Sequence, residues 1–130
     1  MTEKSIKQTI EQLIQEKGLT APRITPEDLK ANIVGEFYFT GADAMTGAMA
    51  FGSEANTGRI VGAVDVNCLK LLTFCVLVLK NGFTVTGESA CASPENFNAE
   101  LGRKIARANA EQKIWPLMGY HLKQHLHETS

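Results

Sequence analysis

The sequence has little of what marks a specialised class. Cysteine is scarce: Cys68, Cys75 and Cys91 are an odd number with no C-x-x-C spacing. That does not fit a disulfide framework and reads as buried free thiols in a reducing compartment. No sign of charge prevails, with 13 Lys and Arg against 14 Asp and Glu and a net charge of −1. This excludes a protein that coats nucleic acid through bulk positive charge, yet leaves room for a local basic site facing a small anion. The longest apolar run, Leu71 to Leu79, is about half of what a membrane helix needs and contains Thr73. The opening residues MTEKSIKQTIEQ have no basic stretch followed by an apolar run, so they do not read as a signal peptide. What is present is ordinary globular material, 44% apolar and 21% charged. At 130 residues it predicts a single domain over 1–130 that buries a core without metal or disulfide staples.

The predicted elements begin with two helices. Thr2 is placed to cap the first, Ile6, Ile10, Leu13 and Ile14 recur on one face, and Gly18 follows Lys17 as a C-cap. Thr25-Pro26-Glu27-Asp28 opens the second with a capping hydroxyl, a proline at the first helical position and carboxylates in the first turn. Leu29 and Ile33 give it apolar contacts, Gly35 ends it, and residues 36–40 read as a short strand. Residues 41–62, GADAMTGAMAFGSEANTGRIVG, are Gly-rich. Ala42 to Ala50 suit a helical turn or two, and the remainder reads as a mobile loop.

The strongest local signal is LLTFCVLVLK-NG-FTVTGESA. Asn81-Gly82 predicts a two-residue type I′ hairpin turn between strands over 72–80 and 83–89. That turn would set Lys80 against Phe83, Val78 against Val85 and Val76 against Gly87. The first strand is apolar on both faces and so should be central. The second carries Thr84, Thr86 and Glu88 on one face, either wet or lining a site. A long helix follows, capped by Ser93, with Pro94 first and Glu95 in the first turn. Its expected buried stripe is Phe97, Leu101, Ile105 and Ala108. Gly102, Ala106 and Ala110 form a smooth second seam suited to close approach of another helix. Pro116 is expected to end or kink the helix after Trp115, leaving a final short helix over 117–126. The fold class is therefore α+β, an antiparallel sheet with a central hairpin, packed by N-terminal helices and a long C-terminal helix.

Few residues suggest chemistry. Arg103 and Arg107 are one helical turn apart, with Lys104 beside them, and two guanidinium groups about 6 Å apart can grip a diphosphate. The competing reading pairs Glu100 with Arg103 or Lys104, and Arg107 with Glu111, as a solvated charged face. Phe83, at the hairpin end, suits either core packing or a stacking platform for a purine. His121 and His125 share a helical face, but no Glu or Cys accompanies them, so they read as exposed histidines and no metal site is expected. There is no G-x-S-x-G, no phosphate loop and no suggestive carboxylate pair, so no catalytic residue is expected.

Residues 75–122, CVLVLKNGFTVTGESACASPENFNAELGRKIARANAEQKIWPLMGYHL, resemble the core of a family of small phage-encoded proteins. The blocks NGFTVTGES, SPENF, GRKIA and KIWPLMGY carry the resemblance, and residues 23–28 resemble the helix start of longer members. That family includes the first type of Thoeris anti-defence protein. The resemblance implies a sponge in the host cytoplasm that binds a cyclic ADP-ribose-type immune signal, glycocyclic ADP-ribose, and holds it uncleaved. Some members also bind cyclic oligonucleotides of the CBASS defence at a separate site. It further implies a homo-oligomer (dimer or hexamer) with ligand pockets between protomers, no cofactor, and neither DNA nor membrane as partner. Under it, Phe83, Arg103 and Arg107 become the expected ligand-binding residues, with Arg59 an additional cation. Arg23 and Thr25 become the expected second site, for a cyclic trinucleotide, although Arg23 can equally pair with Glu27. The alternative is a phage structural or interaction protein of the same fold without ligand binding. An enzyme acting on nucleotides is third, with Glu88, His121 and His125 as the nearest acid–base candidates.

Overall fold

The computed structural model describes residues 3–19, 21–50 and 66–130. The chain forms two compact units, Asn32–Ile114 on one hand and Met1–Ala31 with Trp115–Ser130 on the other. Thr2, Arg59 and the expected loop over 51–62 lie outside the described residues.

In the unit that holds the N-terminus, α1 spans Glu3–Glu16 and α2 spans Pro26–Ala31. Gly18, at φ +66°, closes α1. Its N–H bonds the Gln15 carbonyl at 3.1 Å, and the Leu19 N–H bonds the Ile14 carbonyl at 3.2 Å. Those two bonds form a Schellman motif, which needs a residue tolerant of positive φ at this point. Ile10 and Leu13 stay about half exposed (52% and 47%). Thr25 caps α2 reciprocally: the Asp28 N–H bonds Thr25 Oγ1 at 3.1 Å, and the Thr25 N–H bonds Asp28 Oδ2 at 2.9 Å.

The second unit is built on a three-stranded antiparallel sheet, ordered β1-β2-β3. Its strands are β1 (Ile33–Thr40), β2 (Leu72–Leu79) and β3 (Thr84–Ala90). As its apolar pattern predicts, β2 is central. Gly35 does not end a helix; it lies within β1, at the register shift between Ile33 and Gly35. A Cβ there would stand 3.2 Å from both Phe37 Cε2 and Val78 Cβ, so the irregular strand passes closely over its neighbour. The Gly-rich stretch begins as an ordered helix, α3 (Gly41–Ala50). Its start repeats the device of α2: Thr40 and Asp43 exchange backbone-to-side-chain bonds, both 3.0 Å. A 3-10 turn over Val66–Leu71 leads into β2.

The hairpin lies where the sequence puts it, but its turn and register differ. Among the described residues only glycines have positive φ, so Asn81 cannot occupy a type I′ turn, which needs positive φ at both central residues. Instead the Gly82 N–H bonds the Leu79 carbonyl at 2.9 Å, the Leu79 N–H bonds the Phe83 carbonyl at 2.8 Å, and Gly82 takes φ +89°. This is a three-residue loop ending in a glycine bulge. Val78 therefore faces Thr84, Leu77 faces Val85 and Cys75 faces Gly87, one residue removed from the expected pairing.

The long helix α4 runs from Ala99 to Thr129. Ser93 makes no capping bond: residues 94–96 form a separate 3-10 turn, and Phe97 is extended (φ −70°, ψ 127°). Asn98 caps α4 instead, its Oδ1 accepting from the Leu101 N–H at 3.0 Å. Pro116 neither ends nor splits α4. The buried stripe is also reversed. Gly102, Ala106, Ala110 and Ile114 are buried, whereas Leu101 and Ile105 are 54% and 43% exposed. The small-residue seam faces not a second helix but the sheet. A Cβ on Gly87 would overlap the α4 backbone at Ala106 and Ala110, and one on Gly102 would stand 3.0 Å from Thr73 Oγ1. Small side chains win this face because only they let the helix backbone settle onto the strands. The covered sheet face holds Thr73, Cys75, Leu77, Leu79 and Val85, all buried. Cys75 is thus a core thiol as expected, but Cys68 is exposed and Cys91 half-buried.

Candidate functional site

Near Arg107, α4 uses its two flanks differently. On one, Arg107 reaches β1. On the other, Asn109 Nδ2 donates to the Glu88 carbonyl of β3 at 2.8 Å. The Arg107 flank brings three charged side chains together. The Arg107 guanidinium forms an ion pair with Glu36 and another with Glu111, the latter at 2.9 Å from Nε to Oε1. The Tyr38 hydroxyl donates to Glu36. Strand alternation sends Glu36 and Tyr38 to the same side of β1, opposite Leu77 and Cys75 on the covered face.

The electrostatics follow from this proximity. Arg107 holds the Glu36 carboxyl below its usual range, with the Tyr38 hydroxyl assisting. Burial, reinforced by the bond to Glu36, pushes the Tyr38 phenol up to about 12. Glu36 raises the Arg107 guanidinium above its ordinary value. Burial pushes the Cys75 thiol up, so it is a poor nucleophile in the core. Neither Glu36 nor Tyr38 was singled out from the sequence. The only signal for them was a polar alternation within β1.

Of the expected ligand residues, Arg103 and Arg107 lie on this flank one turn apart, as the i, i+4 spacing predicts. Their surroundings differ. Arg107 is engaged by two carboxylates, whereas Arg103 is exposed and makes no ion pair among the described residues. Glu100 pairs with Lys104 at 3.3 Å, not with Arg103. Phe83 is exposed (56%) but lies at the hairpin end, paired with Leu79. Gly102, beside Arg103, sits over Thr73 at the opposite end of β2. Thr73 and Leu79 are six residue steps apart along β2, roughly 20 Å. One chain therefore does not bring Phe83 and Arg103 around a compact ligand.

The second expected site is occupied by local structure. Arg23 does not pair with Glu27; it forms a forked pair with Glu11, at 3.1 Å and 2.5 Å. That pair lowers the Glu11 carboxyl and raises the Arg23 guanidinium. Thr25 is the α2 cap. His121, His125 and His127 are exposed on α4, and no group of three His, Cys, Asp or Glu side chains suited to a metal occurs among the described residues. No helix among them is long and apolar enough to cross a membrane.

No curated protein and no solved structure matches the chain significantly. A protein-family match covers residues 24–126, which includes β1, β2, β3 and nearly all of α4. By that match the chain belongs to the phage protein (N4 Gp49/phage Sf6 gene 66) family.

Proposed function

We propose that this phage protein is an anti-defence sponge. It binds a cyclic ADP-ribose-type immune signal in the host cytoplasm and holds it without cleaving it. The observation that carries this reading is the flank of α4, where Arg103 presents an exposed guanidinium without an ion-pair partner among the described residues, one turn from Arg107, whose partner Glu36 accepts from the Tyr38 hydroxyl. A doubly charged diphosphate wants cations and neutral donors in this kind of array, and Arg supplies forked bonds that Lys does not. Membership of a phage family and the sequence resemblance over residues 75–122 support the same reading.

In this function Arg103 makes the first phosphate contact. Arg107 contributes a second once the phosphate competes with Glu36 and Glu111 for its guanidinium. The Tyr38 phenol stays protonated at physiological pH and remains a donor. Phe83, at the far end of the sheet, joins a pocket only if a second copy brings it there. Cyclic oligonucleotides at Arg23 and Thr25 would form a second site, and binding there requires displacing Glu11 from Arg23.

Titration calorimetry with glycocyclic ADP-ribose tests the proposal, followed by chromatography of ligand released by heating. Saturable binding with full recovery of the starting compound is the expected result. Turnover of excess ligand would establish an enzyme instead. Absence of binding would favour the second reading, a structural or interaction protein of the same fold. The double carboxylate engagement of Arg107 supports that second reading.

A further inference from the structure

One oxygen of the Glu36 carboxylate, Oε1, is held by two donors from different elements. The Arg107 guanidinium on α4 reaches it through Nη1, and the Tyr38 hydroxyl on β1 donates to the same atom. The Arg107 Nε goes instead to Glu111 Oε1 at 2.9 Å. A guanidinium presents two forks to an anion, Nε with Nη2 and Nη1 with Nη2. Each fork of Arg107 therefore has one member engaged, so a phosphate takes a two-bond grip on it only by displacing a carboxylate.

The two carboxylates are not equally placed. The Glu36 side chain is 39% exposed and that of Glu111 18%. Glu111 is also tied to Arg107 by the i, i+4 spacing of one helix, whereas Glu36 comes from a strand. Glu36 is therefore the carboxylate that regains water most readily on leaving. Its departure frees Arg107 Nη1 and the Tyr38 hydroxyl together, a cation and a neutral donor already aimed at one oxygen position. At neutral pH the Tyr38 phenol keeps its proton and can donate.

We infer that the Glu36 carboxylate is a built-in stand-in for a phosphate: its Oε1 marks where a phosphate oxygen is held by Arg107 and Tyr38, and the ligand enters by displacing it. The inference rests on the α4 flank being a diphosphate site, and it makes Tyr38 a ligand-binding residue and Glu36 an internal competitor. In the free protein Glu36 keeps both donors in position, and the ligand loses affinity by having to remove it. The titratable and charged groups that face Glu36 are Arg107 and Glu111 on α4, Tyr38 on β1 and the Cys75 thiol on β2. Arg107 holds the Glu36 carboxyl below its usual range. Once displaced beside a diphosphate, Glu36 loses that cation and meets negative charge, so its pKa rises. Binding then takes up protons, and affinity increases as pH falls from neutrality into the carboxylate range.

Calorimetry with glycocyclic ADP-ribose, and with inorganic pyrophosphate as a probe of the anion site alone, tests the inference. Glu36→Gln keeps the shape of the side chain and an oxygen for Tyr38 but removes the competing charge. It should bind both probes about tenfold more tightly at neutral pH. A purely structural Glu36 would give the opposite result, weaker binding through a loosened Arg107. Tyr38→Phe should weaken binding of both probes about fivefold. Glu36→Asp keeps the charge and should bind no more tightly than the wild type. Titrations in buffers of different ionisation enthalpy should show proton uptake by the wild type at about pH 5, and less by Glu36→Gln. The wild-type measurement decides alone if the variants fail to fold. Binding that does not tighten in Glu36→Gln, or that takes up no protons at the lower pH, would overturn the inference and leave the sponge reading standing. Pyrophosphate binding that tightens in Glu36→Gln, without binding of the cyclic signal, would support the inference and remove the sponge reading. Binding of neither probe by the wild type or Glu36→Gln would remove both.

Discussion

Gly87 of β3 lies directly beneath Ala110 of α4. A Cβ built on Gly87 would stand 2.9 Å from the Ala110 Cα and closer still to the Ala106 carbonyl oxygen. The obstructing atoms are helix backbone, which cannot rotate aside as a side chain would. Gly87→Ala should therefore cost about 3 kcal/mol or more, at the upper end of overpacking substitutions, or prevent folding. Gly102→Ala makes one tight contact, with Thr73 Oγ1 at 3.0 Å, and should be milder. Chemical denaturation of the two variants checks the order.

The hairpin makes a second prediction. Gly82→Ala places a side chain at φ +89° and should destabilise by about 1 kcal/mol. Asn81→Ala loses the bond from the Phe83 N–H to Asn81 Oδ1, 2.9 Å, but no positive φ. It should cost about 0.5–1.5 kcal/mol. Asn81→Gly is the discriminating variant. In a type I′ turn it would be well tolerated, whereas here it adds chain entropy to the unfolded state and also removes the bond. Thermal unfolding of the three variants provides the comparison.

Stability should fall at both ends of the pH scale through the Glu36–Tyr38–Arg107 cluster. The folded Glu36 pKa lies below the ordinary 4.5, so its contribution is present above that value and is lost as pH falls through the folded pKa. The folded Tyr38 pKa lies at about 12 against an ordinary 10.0, so its contribution is full below 10 and is lost as pH rises toward 12. Glu36→Gln should flatten part of the acid limb and cost about 1 kcal/mol near neutrality, after allowance for its partial exposure. Tyr38→Phe should flatten part of the alkaline limb. Denaturant midpoints measured across pH test both.

Arg103→Ala and Arg107→Ala should separate binding from stability. Arg103 is exposed and makes no ion pair among the described residues, so its removal should leave stability within about 0.5 kcal/mol. Its loss should weaken binding of glycocyclic ADP-ribose about ten- to hundredfold, the effect of one charge-assisted phosphate contact. Arg107→Ala should weaken binding and also destabilise, because it leaves Glu36 and Glu111 without their shared cation. Calorimetric binding and denaturation on the same two variants provide the test. Unchanged affinity in both would remove the flank of α4 from the ligand site.

Local signals determined local structure. Gly18 closes α1, Thr25 and Asp28 cap α2, and the apolar pattern of 72–79 makes β2 the central strand, because each depends on residues close in sequence or on the burial of one strand's own two faces. The same Thr-x-x-Asp pattern at Thr40 and Asp43 opens α3, where the sequence already suited a helical turn or two over Ala42 to Ala50. The hairpin register could not be decided that way. Because β2 is apolar on both faces, a slip of one residue exchanges one apolar face for the other and breaks no local pattern. The register depends on which face α4 covers, and on the glycine that its backbone can rest upon. The choice between the two stripes of α4 has the same origin: Leu101 and Ile105 are the more hydrophobic, but only Gly102, Ala106 and Ala110 allow contact with the strands. Arg107 meets Glu36 through that docking alone, since the partners are distant in sequence and no spacing rule connects them. Composition and spacing could place Arg103 and Arg107 on one side of a helix; only the packing of that helix on the sheet left the first exposed and gave the second its carboxylates.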